Sequence, residues 1–348
     1  MTKAIIHRCV PCAREKAAVP SQLMGNLPAI RVTKPERSFL HCGVDYAGPI
    51  QIRTSSGRGI KTQKAYIALF ICLNSRAIHL ELVSNYSTDA FLDAYLRFCS
   101  RRGLPESMYS DNGTTFLGAD RELASAYRAA LTESNFQNKI ATDSVSWNFI
   151  PPSAPHFGGL WEAGVKSVKH HLRRLVKNET LTFEEFTTLL CRIEACLNSR
   201  PIAPLSDHLD DYEPLTPGHF LIGSAITTTP EPSLLNLKES RLSRWQRVRL
   251  MTEKFWKLWQ NEYVNTLQQR VKWKRKQEII KVGQMVLLRK PDLPPCKWEL
   301  GRITQLHSGS DALPRVVSIK TASSEFKRPI TKLCLLPLDS EPTNTPSV

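Results

Sequence analysis

The order of strand-like and helix-like segments in the first third of the chain constrains the fold most strongly. Apolar residues alternate or run together in three successive segments, at residues 39–53, 64–73 and 77–82. Gly, Ser and Asn residues between these segments are typical of turns. The pattern predicts three consecutive strands of an antiparallel meander.

A helix is predicted after the third strand, over residues 89–101. Ser87 or Thr88 can cap its N-terminus, and Phe91, Tyr95 and Phe98 fall on one face. The Gly-Leu-Pro sequence at residues 103–105 ends this helix, and residues 107–110 are predicted as a short fourth strand that leads into Asp111.

This order of three strands, a helix and a fourth strand is that of a ribonuclease-H-like α/β domain. The first and fourth strands are neighbours in such a sheet, so Asp45 on the first strand and Asp111 at the end of the fourth are expected side by side. An Asp within a half-apolar strand is disfavoured by β-propensity and by desolvation. We therefore expect Asp45 to need a compensating cation.

A third acidic residue, Glu162, lies at the start of a predicted helix that follows the loop PPSAPHFGG. Apolar residues recur there at steps of three and four and form a stripe that faces a core: Trp161, Val165, Val168, Leu172 and Val176. Glu162 begins a second face, whose next members are Lys166, Lys169 and Arg173. For an isolated helix, this second face would be read as solvated, with a Glu-to-Lys pair four residues apart.

The formal net charge of +15 predicts a polyanionic partner. The excess is concentrated in residues 241–302, which hold 16 Lys or Arg against 5 Asp or Glu. Nine cysteines without regular spacing favour reduced thiols in an intracellular protein. The sequence shows neither a signal peptide nor an apolar run long enough to cross a membrane, so we expect no membrane partner.

Cys9 and Cys12 form a CxxC motif, which is half of a zinc site. His7 is too close to Cys9 for the usual pairing. One interpretation is that no stable metal site forms. The alternative is that the chain begins partway through a zinc-binding domain whose histidines lie upstream.

The second half of the chain is predicted to hold two helices and a small β-structure. Thr182 to Glu185 is a capping box that opens a helix ending near Leu197. A long helix is predicted over residues 242–268, with Trp245, Val248, Phe255 and Trp259 on its apolar side and Arg247, Arg249, Lys254 and Lys257 opposite. Four short strands predicted within residues 282–338 indicate a small β-barrel.

Three blocks of sequence carry a resemblance to a known family: GVDYAGPI around Asp45, YSDNGTTFLGA around Asp111 and SAPHFGGLWEAGVKSVK around Glu162. They resemble the three acidic blocks of retroviral and retrotransposon integrases, and most closely those of BEL/Pao retrotransposons. The CxxC motif resembles the second half of the zinc domain of that family. The interval from Asp111 to Glu162 is longer than in the retroviral enzymes.

The resemblance implies a metal-dependent integrase that trims the 3′ ends of retrotransposon DNA and joins them to target DNA. Asp45, Asp111 and Glu162 would be the catalytic residues and the ligands of two Mg²⁺ or Mn²⁺ ions, with Asp45 bridging both. Zn²⁺ would bind at Cys9 and Cys12 only if the missing ligands are present in the full-length protein.

The same resemblance predicts several contacts with DNA. Lys166 and Lys169 would contact phosphates beside Glu162, whereas Arg173 is either a further contact or a solubilising charge. Asn112 would shape the turn after Asp111 and contact DNA, and His156 would contact DNA or orient Glu162. Independently of the resemblance, basic residues around an aromatic predict that the segment around Trp273 contacts DNA, acts in nuclear import or forms a solvated linker; these residues are Lys272, Lys274, Arg275 and Lys276.

The predicted organisation has six parts: a zinc-domain remnant and linker (1–38), a ribonuclease-H-like core (39–200), an irregular extension (201–240), a basic helix and linker (241–281), an SH3-like β-barrel (282–338) and a disordered tail (339–348). We expect a dimer to tetramer on DNA, and a nuclear location after assembly in the cytoplasm. Two alternatives remain open: a hydrolytic nuclease of the same fold, and a domesticated DNA-binding protein that has lost catalysis.

Overall fold

The computed structural model describes residues 29–33, 36–55, 57, 61–132, 145–149, 166, 168–172, 174–176, 180–206, 208, 210–267, 280–290, 293–309 and 314–336. The chain divides into two compact units, Met1–Thr33 and Lys34–Val348. In the first unit the structure describes one short helix, α1 (Ala29–Val32). The predicted ligands Cys9 and Cys12 lie outside the described residues.

The second unit is built on a mixed six-stranded sheet with helices around it, which makes it an α/β structure. Its strands are β1 (His41–Arg53), β2 (Thr62–Cys72), β3 (Ile78–Val83), β4 (Ser107–Ser110), β5 (Ser146–Phe149) and β6 (Leu181–Thr182). The main order is β3-β2-β1-β4-β5, and β6 pairs with the far end of β1. The first three strands are antiparallel, whereas β4 and β6 run parallel to β1 and β5 runs parallel to β4.

Alternate residues of β1 build the main core. Cys42, Val44 and Tyr46 are buried against helices α2 (Thr88–Arg102) and α3 (Thr114–Thr132). Helix α2 begins as predicted, because the Ser87 side chain accepts a hydrogen bond from the Ala90 N–H. Helix α3 begins at Thr114, directly after the Asp111 turn, and this early start was not predicted.

Helix α4 (Phe183–Asn198) covers the open edge of the sheet at β3. The Asn198 amide accepts from the Ile78 N–H at 2.8 Å and donates to the Ile78 carbonyl at 2.7 Å. Glu194 accepts from the Leu80 N–H at 2.9 Å. These side chains satisfy backbone groups that an edge strand would otherwise present to another chain. The predicted capping box of α4, from Thr182 to Glu185, is confirmed.

After α4 the chain forms a two-stranded ladder, one short helix and one long helix. They are β7 (Ala203–Pro204), β8 (Pro214–Leu215), α5 (His219–Ile222) and α6 (Arg244–Leu267). Val248, Phe255 and Trp259 are buried as the pattern of α6 predicted, but Trp245 is 60% exposed. Arg249, predicted on the side opposite the apolar stripe, is buried, and its Nε donates to Glu231 Oε2 at 2.9 Å, which pairs the buried charge.

The C-terminal part is a five-stranded antiparallel sheet, where the sequence predicted four strands. Its members are β9 (Met285–Leu288), β10 (Leu300–Ser308), β11 (Pro314–Thr321), β12 (Glu325–Pro329) and β13 (Leu333–Leu335). The order is β12-β11-β10-β9-β13. Closure into an SH3-like barrel stays a prediction, as do the six domain boundaries.

Aromatic side chains tie α6 to the loop that precedes β10. The Trp298 ring lies 4.9 Å from that of Trp256 and 6.0 Å from that of Trp259, measured between centroids. The Trp298 indole N–H donates to Ser199 at 3.2 Å, just beyond α4. Helix α6 is therefore packed between α4 and the C-terminal sheet.

Within the described residues, no helix combines the length and apolarity that a membrane crossing requires. The cysteines in this part of the chain, at positions 42, 72, 99, 191, 196, 296 and 334, are all free thiols.

Candidate active site

Asp45 and Asp111 come from neighbouring parallel strands. The pairing of β1 with β4 places His41 opposite Ser107, Cys42 opposite Met108 and Gly43 opposite Tyr109. The paired residues end at Gly43 and Tyr109, and the same register continued by two residues would set Asp45 level with Asp111. Adjacent strands lie about 4.8 Å apart, so we expect the two residues side by side. The predicted proximity of the first and fourth strands is confirmed.

Backbone hydrogen bonds hold both carboxylates in place. Asp45, half-buried on β1, accepts from the Tyr46 N–H at 2.6 Å through Oδ1. Asp111, exposed after β4, accepts from the Gly113 N–H at 2.9 Å through Oδ1. This second bond closes a local turn at the point where the strand ends.

A buried hydrogen-bond chain fixes the backbone of Asp111. The Trp147 indole N–H on β5 donates to the Ser110 hydroxyl at 2.9 Å, and that hydroxyl donates to the Asp111 carbonyl at 2.9 Å. Ser110 is fully buried. Strand β5 lies next to β4 on the side away from β1, and through this chain it supports the backbone of Asp111. The sequence predicted neither β5 nor this contact.

Tyr86 is a third side chain at this place, which sequence reasoning missed. Partial burial and the nearby carboxylates of Asp111 and Asp45 raise the pKa of Tyr86. A Cβ placed on Gly113 would lie 3.0 Å from Asp111 Oδ1 and 3.5 Å from the Tyr86 hydroxyl. The Tyr86 hydroxyl and Asp111 Oδ1 therefore both border the space that a side chain at Gly113 would fill.

We expect Gly113→Ala to weaken Mn²⁺ binding to the chain about tenfold, the lower end of the effect of disturbing groups around a metal ligand. The added methyl would press on Asp111 Oδ1 and on the Phe116 ring, 3.3 Å away. Calorimetric titration with Mn²⁺ without DNA measures the change.

Gly223→Ala is the control for this prediction. Its methyl would meet nothing within 4 Å, but the φ of 76° strains any residue except glycine. This variant should therefore lose stability and keep its Mn²⁺ affinity. Equal affinities for wild type and Gly113→Ala would contradict the prediction.

The described part of the segment 166–175 is helical and is anchored on its apolar side. Val168 and Leu172 are buried, as the predicted stripe requires. His171 is also buried; its Nε2 lies 2.6 Å from Glu262 Oε2 and its ring packs edge-on against Phe255 at 5.5 Å. Both partners belong to α6, so α6 fixes the position of this helical segment.

The remaining predicted site residues are only partly described. Lys166 is exposed, Lys169 is half-buried and Asn112 is exposed beside Asp111. The others lie outside the described residues: His156, Glu162, Arg173, Lys272, Lys274, Arg275 and Lys276. Their roles stay predictions.

The donor set at this place suits hard divalent cations. Asp45 and Asp111 supply carboxylate oxygens, which Mg²⁺ and Mn²⁺ prefer. Among the residues that the structure describes, no group of three or more His, Cys, Asp and Glu side chains is arranged to hold a metal ion. The described site thus offers two carboxylates, and a third would have to come from the segment that contains Glu162.

The chain was compared with family models, curated proteins and solved structures. A family model described as "Family of unknown function (DUF5641)" matches residues 243–336. No curated protein matches the sequence. Among solved structures, a chain of the cryo-EM structure of the simian T-cell lymphotropic virus intasome in complex with PP2A regulatory subunit B56 gamma is 11% identical. That match covers 97% of this chain and 91% of the other, with a TM-score of 0.32. A TM-score of this size does not establish a shared fold.

Proposed function

We propose that this chain is a polynucleotidyl transferase of the integrase type, which cuts DNA ends and joins them to a second DNA. The observation that supports the proposal is the parallel pairing of β1 with β4, whose register, continued by two residues, would set Asp45 level with Asp111. The resemblance of the block around Glu162 and the net charge of +15 add support.

The chemistry requires an oxygen nucleophile, an in-line leaving group and compensation for negative charge on phosphorus. Two Mg²⁺ or Mn²⁺ ions held by Asp45, Asp111 and Glu162 would activate the nucleophile and stabilise the leaving oxygen. The protein residues hold these carboxylates at fixed positions: the Tyr46 N–H holds Asp45, and the Gly113 N–H holds Asp111.

Two reactions share this site in the proposal. In end trimming, a water oxygen bonds to phosphorus, the P–O3′ bond breaks and a 3′-OH remains on the trimmed strand. In joining, the oxygen of that 3′-OH bonds to a target phosphorus, and the P–O3′ bond of the target breaks. Neither reaction needs a covalent bond to the protein, so no Ser or Tyr nucleophile is required.

The finer assignments belong to the same proposal. The substrate would be BEL/Pao retrotransposon DNA, and the chain would act as a dimer to tetramer on DNA in the nucleus. Lys166, Lys169 and Asn112 would contact the DNA beside the carboxylates. The basic residues 241–302 would contact phosphates, so DNA affinity should fall steeply with salt.

A product assay tests the proposal and separates it from its alternatives. A duplex with a labelled 3′-OH strand is incubated with the chain and Mn²⁺. Joining gives labelled products longer than the input strand. Shorter products alone would indicate a hydrolytic nuclease of the same fold.

Glu162→Gln should abolish both kinds of product while duplex binding persists, because it removes a charged ligand and leaves the basic surface intact. Glu184→Gln, an exposed residue at the start of α4, is the matched control and should behave like the wild type. If Glu162→Gln changes neither cutting nor joining, the chain is a DNA-binding protein at most.

A further inference from the structure

Tyr86 is an exposed aromatic residue held in a defined position. It lies in the bend between β3 and α2 and is 45% exposed. The bend is fixed because Asn85 Oδ1 accepts from the Ser87 N–H at 3.0 Å and from the Ser87 hydroxyl at 2.6 Å. The Tyr86 hydroxyl is hydrogen-bonded to the side chain of Thr115, which is buried at the start of α3.

Other aromatic rings support the Tyr86 ring from the core side. Its centroid lies 5.0 Å from that of Tyr46, which is buried, and 5.2 Å from that of Tyr66, which is half-buried. Tyr46 is in turn stacked on Phe116 at 5.4 Å. The ring is thus pre-positioned, and little conformational freedom remains to be lost when a flat ligand packs against its open side.

The surroundings of Tyr86 indicate which flat ligand would bind. Its hydroxyl and Asp111 Oδ1 border the same space next to Gly113, and the carboxylates of Asp111 and Asp45 raise its pKa. Lys64, exposed on β2, precedes Tyr66 by two residues and points to the same face of that strand. A phosphodiester at Asp111 would therefore have the aromatic ring of Tyr86 next to it, and Lys64 would lie further along β2.

We propose that Tyr86, together with Tyr66, is a stacking site for the unpaired terminal base of the DNA strand that reacts at Asp45 and Asp111. This inference rests on the proposed function. The hydroxyl anchors the ring through Thr115, and the exposed part of the ring contacts the base. Every base has a π-face, so this contact does not depend on the identity of the base.

A fluorescent base at the DNA end tests the stacking directly. The probe is a duplex with a two-nucleotide 3′ overhang that ends in 2-aminopurine, mixed with the full chain and Ca²⁺ in place of Mn²⁺. Stacking on a tyrosine ring quenches this base. Wild type should quench the signal, Tyr86→Ala should lose most of the quenching, and Tyr86→Phe should retain it because the ring remains.

The values of KM and kcat distinguish a lost stacking contact from a loss of folded protein. Tyr86→Ala should raise the KM for overhang DNA about tenfold, the effect of losing one base–aromatic stack, and leave kcat and Mn²⁺ affinity unchanged. Leu96→Ala, at a 57% exposed apolar residue of α2, is the control and should resemble the wild type in every measurement.

The two ways of failing are distinguishable. The stacking site is overturned if wild type and Tyr86→Ala quench the 2-aminopurine fluorescence equally. It is also overturned if Tyr86→Ala and Leu96→Ala lose the quenching equally. Failure of the proposed function would show separately, as undiminished cutting and joining by Asp45→Asn.

Discussion

Asp45→Asn is expected to lower Mn²⁺-dependent cutting and joining about 10³-fold, because the charge compensation lost at phosphorus is worth several kcal/mol. Asparagine keeps the size of the side chain and its place on β1, opposite Leu69 of β2. The substitution removes the negative charge that attracts a divalent cation. The measurement is the initial rate of product formation from a labelled duplex at saturating Mn²⁺.

Asp111→Asn should have an effect of similar size, and the double variant should be scarcely slower than either single one. Side chains that act as one unit lose their function together, so their effects do not add. Duplex affinity should stay within about twofold of wild type, since phosphate contacts elsewhere supply most of it.

Asp93→Asn provides the control, because Asp93 is an exposed carboxylate on α2. It removes the same charge from the same unit of the protein and should leave the rate unchanged. A multiplicative loss in the double variant would mean that Asp45 and Asp111 act at separate places. Full activity in Asp45→Asn would rule out the carboxylate site.

The strands and helices that carry the site were predictable because each has a local signal. Strands β1 to β3 coincide with apolar runs, and α2 and α4 begin at cap residues that form the expected hydrogen bonds. The parallel pairing of β1 with β4, on which the proposed Asp45 and Asp111 site depends, followed from the strand order alone. Local pattern and long-range pairing agree in this part of the chain.

Features that depend on tertiary contacts were missed. Helix α6 packs against α4 and is tied to the C-terminal sheet, so one apolar stripe could not show that Trp245 is exposed and Arg249 buried. Tyr86 is a single tyrosine in a bend, and tertiary packing places its hydroxyl next to the space that Gly113 and Asp111 Oδ1 also border. Strand β5 has four residues, and its role depends on one indole N–H. Sequence periodicity reports none of these contacts.

Glu81→Gln is expected to lower the free energy of unfolding by about 3 kcal/mol, the loss typical of breaking a buried ion pair. The Glu81 side chain is 4% exposed on β3. Its Oε1 lies 3.0 Å from His79 Nε2 and accepts from Arg101 Nη1 at 2.7 Å, and its Oε2 accepts from Arg97 Nε at 2.7 Å. Glutamine has one oxygen and no charge for these three partners.

Urea denaturation at pH 6 measures this effect, with Asp93→Asn as the control for removing an exposed carboxylate. The control should shift the urea midpoint little, because surface charges contribute about 0 to 1 kcal/mol. Equal midpoints for Glu81→Gln and the wild type would mean that the buried cluster contributes nothing to stability.

The same cluster gives stability a defined pH dependence. Burial lowers the pKa of His79, but hydrogen bonds with Glu194 and Glu81 outweigh burial and leave the pKa above its ordinary value of 6.5. A group whose pKa is raised by folding contributes fully below the unfolded value, and this contribution is lost as the pH rises through the folded value. The wild-type urea midpoint should therefore fall as the pH rises from 6.5 through the raised folded pKa of His79.

At acidic pH the sign is reversed. Burial raises the pKa of Glu81, but hydrogen bonds from His79 and Arg97 outweigh it and leave the pKa below 4.5. The contribution of Glu81 is therefore present above pH 4.5 and is lost as the pH falls through the lowered folded pKa. Glu81→Gln removes the loss of stability that protonation of Glu81 causes at acidic pH. It also makes the fall in stability at alkaline pH smaller, because His79 then keeps only Glu194 as a carboxylate partner within this cluster. A variant whose midpoint follows the wild-type pH profile would show that Glu81 is not what keeps His79 protonated.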